Sequence, residues 1–169
     1  MNIYSHLVIA DELKPYIQPD NNQEYYWGAV IPDIRNIAGI RRSQTHLSAE
    51  QILNDMGQYQ ALKSFLQGYL VHCLTDQLDL VSIFNKQFPF FLFKSKLTPQ
   101  HYPVILELFY LEQKRHVTYT VSGRHNPMLD ALGITPEQSQ MYYQLISKYL
   151  ANQSFEAAII TAQCRAHLF

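Results

Sequence analysis

Apolar residues recur at helical spacing along most of this chain, and turn-forming residues cut it into segments of helix length. Ser5 is placed to cap a first helix on which His6, Ala10 and Leu13 share a face, with Pro15 ending or kinking it. Ser48-Ala49-Glu50-Gln51 has capping-box form and opens a helix of Ile52, Leu53 and Met56, interrupted near Gly57. A central helix follows from about Gln58 to Leu80. Thr98-Pro99 begins another, carrying Val104, Ile105, Leu108, Phe109 and Leu111. Thr135-Pro136-Glu137-Gln138 combines a cap, an N1 proline, an early acid and an N3 glutamine, and predicts a buried stripe of Tyr142, Leu145, Ile146 and Tyr149. Ser154 caps a last helix through Ala157, Ile160, Cys164 and His167.

Two stretches break this pattern. Residues 18–46 hold prolines 19 and 32, Asn21-Asn22 and glycines 28 and 39, and read as a long loop. Tyr25-Tyr26-Trp27-Gly28-Ala29-Val30-Ile31-Pro32-Asp33 is too apolar for a solvated linker, so the loop is expected to be ordered and packed on the helices. Val117-Thr118-Tyr119-Thr120-Val121 alternates like a strand, yet one short strand cannot form a sheet, so it reads equally as helix in context. The expected fold is all-α: a single-domain bundle of five to seven helices over residues 1–169.

Composition narrows the classes. A chain of 169 residues with 47% hydrophobic and only 16% charged residues has a substantial core, rich in its twelve tyrosines and nine phenylalanines. A net charge of −1 gives no basic surface for general nucleic-acid binding. Cys73 and Cys164 are too few for a disulfide scaffold and read as reduced packing residues. The start of the chain shows no basic, apolar leader pattern, and no stretch reaches the length of a spanning helix, so the expected location is cytoplasmic. Phe88-Pro89-Phe90-Phe91-Leu92-Phe93 is the most aromatic run and reads as a buried connection between helices.

Candidate chemistry lies where polar residues interrupt apolar faces. On the central helix one face reads Phe65, Tyr69, His72, Cys73, Asp76, so that a histidine and an aspartate four residues apart extend a core stripe. A carboxylate there is costly unless it is paired or binds a metal. His6 lies on the core face of the first helix, Asp33 follows Pro32, and His46 precedes the Ser48 cap. Each alone reads as a hydrogen-bonded core, turn or loop residue. Together they form a donor set of imidazoles and carboxylates suited to zinc, with manganese or iron also compatible. Arg35, Arg41 and Arg42, between Asp33 and His46, read either as solvated loop charges or as phosphate contacts.

The ordered series His6, Gly28-Ala29-Val30-Ile31-Pro32-Asp33, Thr45-His46 and Gly68-Tyr69-Leu70-Val71-His72-Cys73-Leu74-Thr75-Asp76 resembles the zinc-dependent phospholipase C superfamily, which includes the S1/P1-type nucleases. The likeness covers residues 6 to 76 and is nearest to small uncharacterised members carrying Pro-Asp-Ile-Arg followed by Thr-His. It implies an all-α domain with zinc held by His6, Asp33, His46, His72 and Asp76, with His72 and Asp76 on one ion and His6 and His46 on another. Asp33 bridges or acts as the catalytic base. It also implies hydrolysis of a small-molecule or lipid phosphoester by a metal-bound water, with Arg35, Arg41 and Arg42 on the substrate. The family's later His-x-x-x-Glu pair has no counterpart here. Glu112 and His116 stand in reversed order, and His101 precedes Glu107 by six residues, so one or two ions are expected instead of three. A non-catalytic helical protein keeping part of the site is the alternative reading. An HD-type phosphohydrolase, also helical and metal-dependent, is a further one, although it requires an adjacent His-Asp doublet that the chain lacks.

Overall fold

Two glycines set the central geometry. Helix α2 (Asn22–Val30) and helix α6 (Lys63–Thr75) cross so closely that a Cβ on Gly28 would sit 1.9 Å from the Phe65 carbonyl oxygen, and one on Gly68 would sit 1.8 Å from the Tyr25 carbonyl oxygen. Only hydrogen fits at either position, and the two backbones touch. The structure is a computed structural model that describes residues 3–77 and 118–152. Its other helices are α1 (Ile3–Ile17), α3 (Arg35–Ala38), α4 (Arg42–Thr45), α5 (Ala49–Gln58), α7 (Pro127–Ala131) and α8 (Pro136–Asn152), with short 3-10 turns at Ile31–Ile34 and Gln60–Leu62. No strand occurs among the described residues, and the bundle is all-helical as the pattern predicts. None of these helices is long and apolar enough to cross a membrane.

The core gathers around α2. Tyr25, Tyr26, Trp27, Ala29, Val30 and Ile31 are all buried, against Tyr4, Leu7 and Val8 of α1 and Phe65, Leu66 and Tyr69 of α6. Tyr142 of α8 donates to the Val30 carbonyl at 2.8 Å, which pins the C-terminal end of α2. The predicted α8 stripe holds at Tyr142, Ile146 and Tyr149, while Leu145 is half-buried. The Ser48–Gln51 and Thr135–Gln138 capping boxes form as read.

Several expectations give way. The segment 18–46 is not a loop: it contains α2, the 3-10 turn, α3 and α4. Asn21 caps α2 by accepting from the Gln23 and Glu24 amides, Gly28 serves the helix crossing, and Pro32 starts the 3-10 turn, where its missing N–H costs little. Its packing on the other helices does match the apolar reading. Ser5 does not cap α1; it lies buried inside that helix. Pro15 does not end α1, which runs through it to Ile17. The helix stops instead at Gln18, in the left-handed region with φ 51°, followed by Pro19. The central helix starts at Lys63 and not at Gln58, since α5 and a 3-10 turn occupy the preceding residues.

Residues 118–126 form neither strand nor helix. Tyr119 and Val121 point into the core while Thr118 and Thr120 are exposed, so the alternation reflects an extended segment lying on the bundle. Tyr119 packs edge-on to Tyr4 and Tyr26, and Trp27 Nε1 donates to the Arg124 carbonyl at 3.0 Å. The predicted helices from Thr98 and Ser154, the Phe88–Phe93 run, Cys164, and the Glu112/His116 and His101/Glu107 pairs lie outside the described residues.

Candidate metal centre

The Gly28–Gly68 crossing brings the Ala29 carbonyl to 2.7 Å from His72 Nδ1. A carbonyl only accepts, so Nδ1 carries the proton and Nε2 of His72 presents a lone pair on the far side of the ring. The same device recurs at His6. Thr75 Oγ1 donates to the Val71 and His72 carbonyls at 2.9 and 3.0 Å, so toward His6 Nδ1, 3.3 Å away, it acts as acceptor. Thr45 Oγ1 donates to the Arg42 carbonyl and lies 3.1 Å from His46 Nδ1. In His72 and His6 the Nδ1 proton is held from behind and Nε2 faces the centre, while His46 turns its Nε2 toward the same centre, within hydrogen-bond distance of Asp76 Oδ2. That is the arrangement in which outer partners orient metal-ligating histidines.

Two carboxylates face the same centre. Asp33 arrives from the 3-10 turn after α2, and Asp76 from the C-cap of α6. His46 is positioned because Tyr69 OH donates to the carbonyl of Thr45, next to it. Nε2 of His46 lies 3.1 Å from Asp76 Oδ2 and 3.3 Å from His72 Nε2; Nε2 of His72 lies 3.7 Å from Asp76 Oδ2. Nε2 of His6 is 3.4 Å from Asp76 Oδ1 but lacks hydrogen-bond geometry, so this fully buried nitrogen has no hydrogen-bond partner. The His6 and His72 rings stack at 3.7 Å, 16° apart.

All five sequence-predicted donors therefore meet, but in groupings different from those the resemblance implies. His6, Asp33 and His72 form one set whose ligand atoms lie within 4.8 Å of one another, and His46, His72 and Asp76 form another. His72 belongs to both, and with Nδ1 committed to Ala29 it has one lone pair to give. Of the arginines, Arg42 reaches the centre, its Nη2 2.6 Å from Asp76 Oδ2. Arg41 is exposed at the start of α4, and Arg35 is half-buried at the head of α3. The sequence reading missed Thr75 and the Ala29 carbonyl as orienting groups. A threonine one turn from a core histidine in an apolar helix was a signal for the first; a backbone carbonyl leaves none.

The electrostatics suit a cation. Burial lowers the pKa of His72 well below its ordinary 6.5, and the neighbouring His6 adds to this; burial likewise lowers that of His6, outweighing the attraction of Asp76. Burial works against charge on Asp76 too, but His46, His6 and His72 beside it hold the carboxyl well below its ordinary range. The result is neutral imidazole lone pairs crowded against ionised carboxylate. Such a set is satisfied by a proton on His46 Nε2 bridging to Asp76, or by a divalent ion, and its nitrogen and oxygen donors fit zinc or a similar metal. Burial pushes the thiol of Cys73, on the same helix, up to about 12, which makes it an inert packing residue.

These shifts fix a pH dependence for chelator-treated protein. A buried histidine with a lowered pKa takes up its proton more readily unfolded, so stability rises with pH through the window below 6.5. Acidification from pH 7 toward 5 is expected to lower the unfolding free energy, with each of His6 and His72 contributing up to about 1.4 kcal/mol per pH unit. Asp76 adds its own loss only below 3.8, where the unfolded carboxyl takes up a proton that the folded one does not. Urea midpoints at pH 8, 7, 6 and 5 measure this, and a flat profile would show that these rings are not held neutral.

No family model, no curated protein and no solved structure matches the chain.

Proposed function

We propose that this protein is a metal-dependent phosphoester hydrolase whose centre is the cluster of His6, Asp33, His46, His72 and Asp76. The observation that carries the reading is that three imidazoles and two carboxylates gather into two candidate donor sets that share His72. Zinc is the first candidate, at one or two ions, with manganese or iron suited to the same donors. A divalent ion bound there supplies Lewis acidity to a phosphoryl oxygen and generates a nucleophile from water near neutral pH. Asp33 is the residue to hold or take a proton from the attacking water. Arg42, half exposed beside the cluster, is the residue to contact substrate phosphate, and Arg35 and Arg41 flank it on the same stretch of chain. The order and spacing of these residues support kinship with the zinc-dependent phospholipase C superfamily, and a small-molecule or lipid phosphoester as substrate.

One observation favours a second reading. The five donors are nearly closed off from solvent, as structural metal sites are. An ion there would staple α1, the 3-10 turn, the segment after α4 and α6 together without turnover. The deciding experiment is elemental analysis of purified protein followed by assay against a panel of phosphomonoesters and phosphodiesters. The hydrolase reading requires bound metal, turnover and loss of turnover in Asp33→Asn. Bound metal with no turnover on the panel supports the staple. Protein with no affinity for metal, and a normally folded His72→Ala variant, rejects both.

A further inference from the structure

Arg42 competes with any metal for Asp76. Its Nη2 lies 2.6 Å from Oδ2, the same carboxylate oxygen that His46 Nε2 approaches at 3.1 Å and His72 Nε2 at 3.7 Å. That oxygen is the Asp76 oxygen nearest both imidazoles of the His46–His72–Asp76 set, and so the one the set would present to an ion. A guanidinium in a charge-assisted bond occupies it, and a divalent ion placed against the same oxygen would be repelled by the adjacent positive charge. The other set, His6, Asp33 and His72, is buried and makes no use of Oδ2. His72 can give its single lone pair to one set at a time.

We propose, resting on the metal-centre reading above, that Arg42 is a specificity-determining internal cation that directs a bound ion to the His6–Asp33–His72 set and withholds the His46–His72–Asp76 set. The side chain is suited to leave. It is 48% exposed while Asp76 is 5% exposed, and it extends from a four-residue helix, so rotation into solvent disturbs no core packing. An anion such as a phosphoester offers the guanidinium an equivalent partner. Its capture of Arg42 frees Asp76 Oδ2, so that the outer set becomes available when substrate charge is at the rim. Arg42 is in this sense a positioning residue for the metal and a contact residue for the anion, in exchange.

The test is Zn²⁺ affinity, measured by competition with a chromophoric chelator in phosphate-free buffer, for wild type, Arg42→Gln, His46→Gln and the double variant, each checked for helical content by circular dichroism. The expected result is that His46→Gln alone changes the wild-type affinity less than threefold, because the ion sits in the inner set. Arg42→Gln binds at least tenfold tighter, and the double variant returns to within threefold of His46→Gln. That return separates freeing of the outer set from a general loss of positive charge, which would leave the double variant tight. Arg42→Gln within threefold of wild type, or a tenfold loss from His46→Gln alone, overturns the proposal while leaving the metal centre standing. Zn²⁺ binding by Arg42→Gln but not by wild type also overturns it, because the inner set would then hold no ion while Arg42 is in place. Absence of binding in both overturns it together with the metal centre.

Discussion

Gly68→Ala is expected to destabilise the protein by about 3–5 kcal/mol, enough to unfold a large fraction of a domain of ordinary stability. The added methyl would stand 1.8 Å from the Tyr25 carbonyl oxygen and 2.9 Å from the Ala29 amide nitrogen. Both obstacles are helix backbone, so no rotamer change relieves the overlap and the two helices must move apart. Separation breaks more than packing. It lengthens the bond from His72 Nδ1 to the Ala29 carbonyl and shifts the turn that carries Asp33. Gly28→Ala meets the Phe65 carbonyl at 1.9 Å and is expected to behave alike. The helical gain from Gly to Ala, about 1 kcal/mol at most, is too small to compensate. Gly57→Ala is the control. Gly57 lies exposed near the end of α5 with nothing within 4 Å of its added Cβ, and the change is expected to be neutral or stabilising by up to about 1 kcal/mol. Urea denaturation of the three variants measures this. Equal midpoints for Gly68→Ala and Gly57→Ala would rule out backbone contact at the crossing.

These glycines also show where a sequence is legible and where it is not. The helix of Phe65, Tyr69, His72 and Cys73 is readable because apolar spacing encodes its buried face directly, and all four residues are indeed in the core. The capping boxes at Ser48 and Thr135 are readable for the same local reason: cap and N3 side chains satisfy each other within four residues. Residues 18–46 read as a loop because Gly28 and Pro32 are breakers by local rules. Gly28 stands inside a helix because a second helix, forty residues later in the chain, needs its missing side chain, and no local rule contains that fact. Asn21-Asn22 reads as a turn, although Asn21 with Glu24 three residues on has the form of a helix start, and Asn21 does cap α2. For the site, donor types were legible, since a histidine or carboxylate on an apolar face is anomalous by itself. Their grouping was not. Pairing His72 with Asp76 follows the helix, but His72 also faces His6 across a stacked ring, and that proximity is a product of how α1 and α6 dock. Arg42 reads either as a loop charge or as a phosphate contact, and its ion pair with Asp76 is hidden because the two lie thirty-four residues apart.

Metal loading is expected to stabilise the protein by about 4 kcal/mol at a free ion concentration a thousandfold above the dissociation constant. For a chain of this size that corresponds to a rise in Tm of roughly 8–16 °C. The donors come from α1, the turn after α2, the residue following α4, and α6, so unfolding any one of these segments loses the ion. The ion also displaces protons from the centre, so the acid sensitivity of the chelator-treated protein is expected to shrink when metal is present at pH 6. His72→Ala should abolish the increment, since His72 belongs to both donor sets and its removal leaves neither with three ligands. The substitution also lowers metal-free stability, by opening a cavity and leaving the Ala29 carbonyl without its donor. The comparison is therefore made within each variant, as the difference in Tm with and without Zn²⁺, Mn²⁺ or Fe²⁺, in scanning calorimetry. His125→Ala serves as the control: this ring pairs with Asp130 away from the centre and should keep the full increment. A wild-type Tm unmoved by all three metals would mean that protons alone hold these five side chains together. The cluster would then be a buried polar network that locks four segments in register, with its acid sensitivity as the only outward sign.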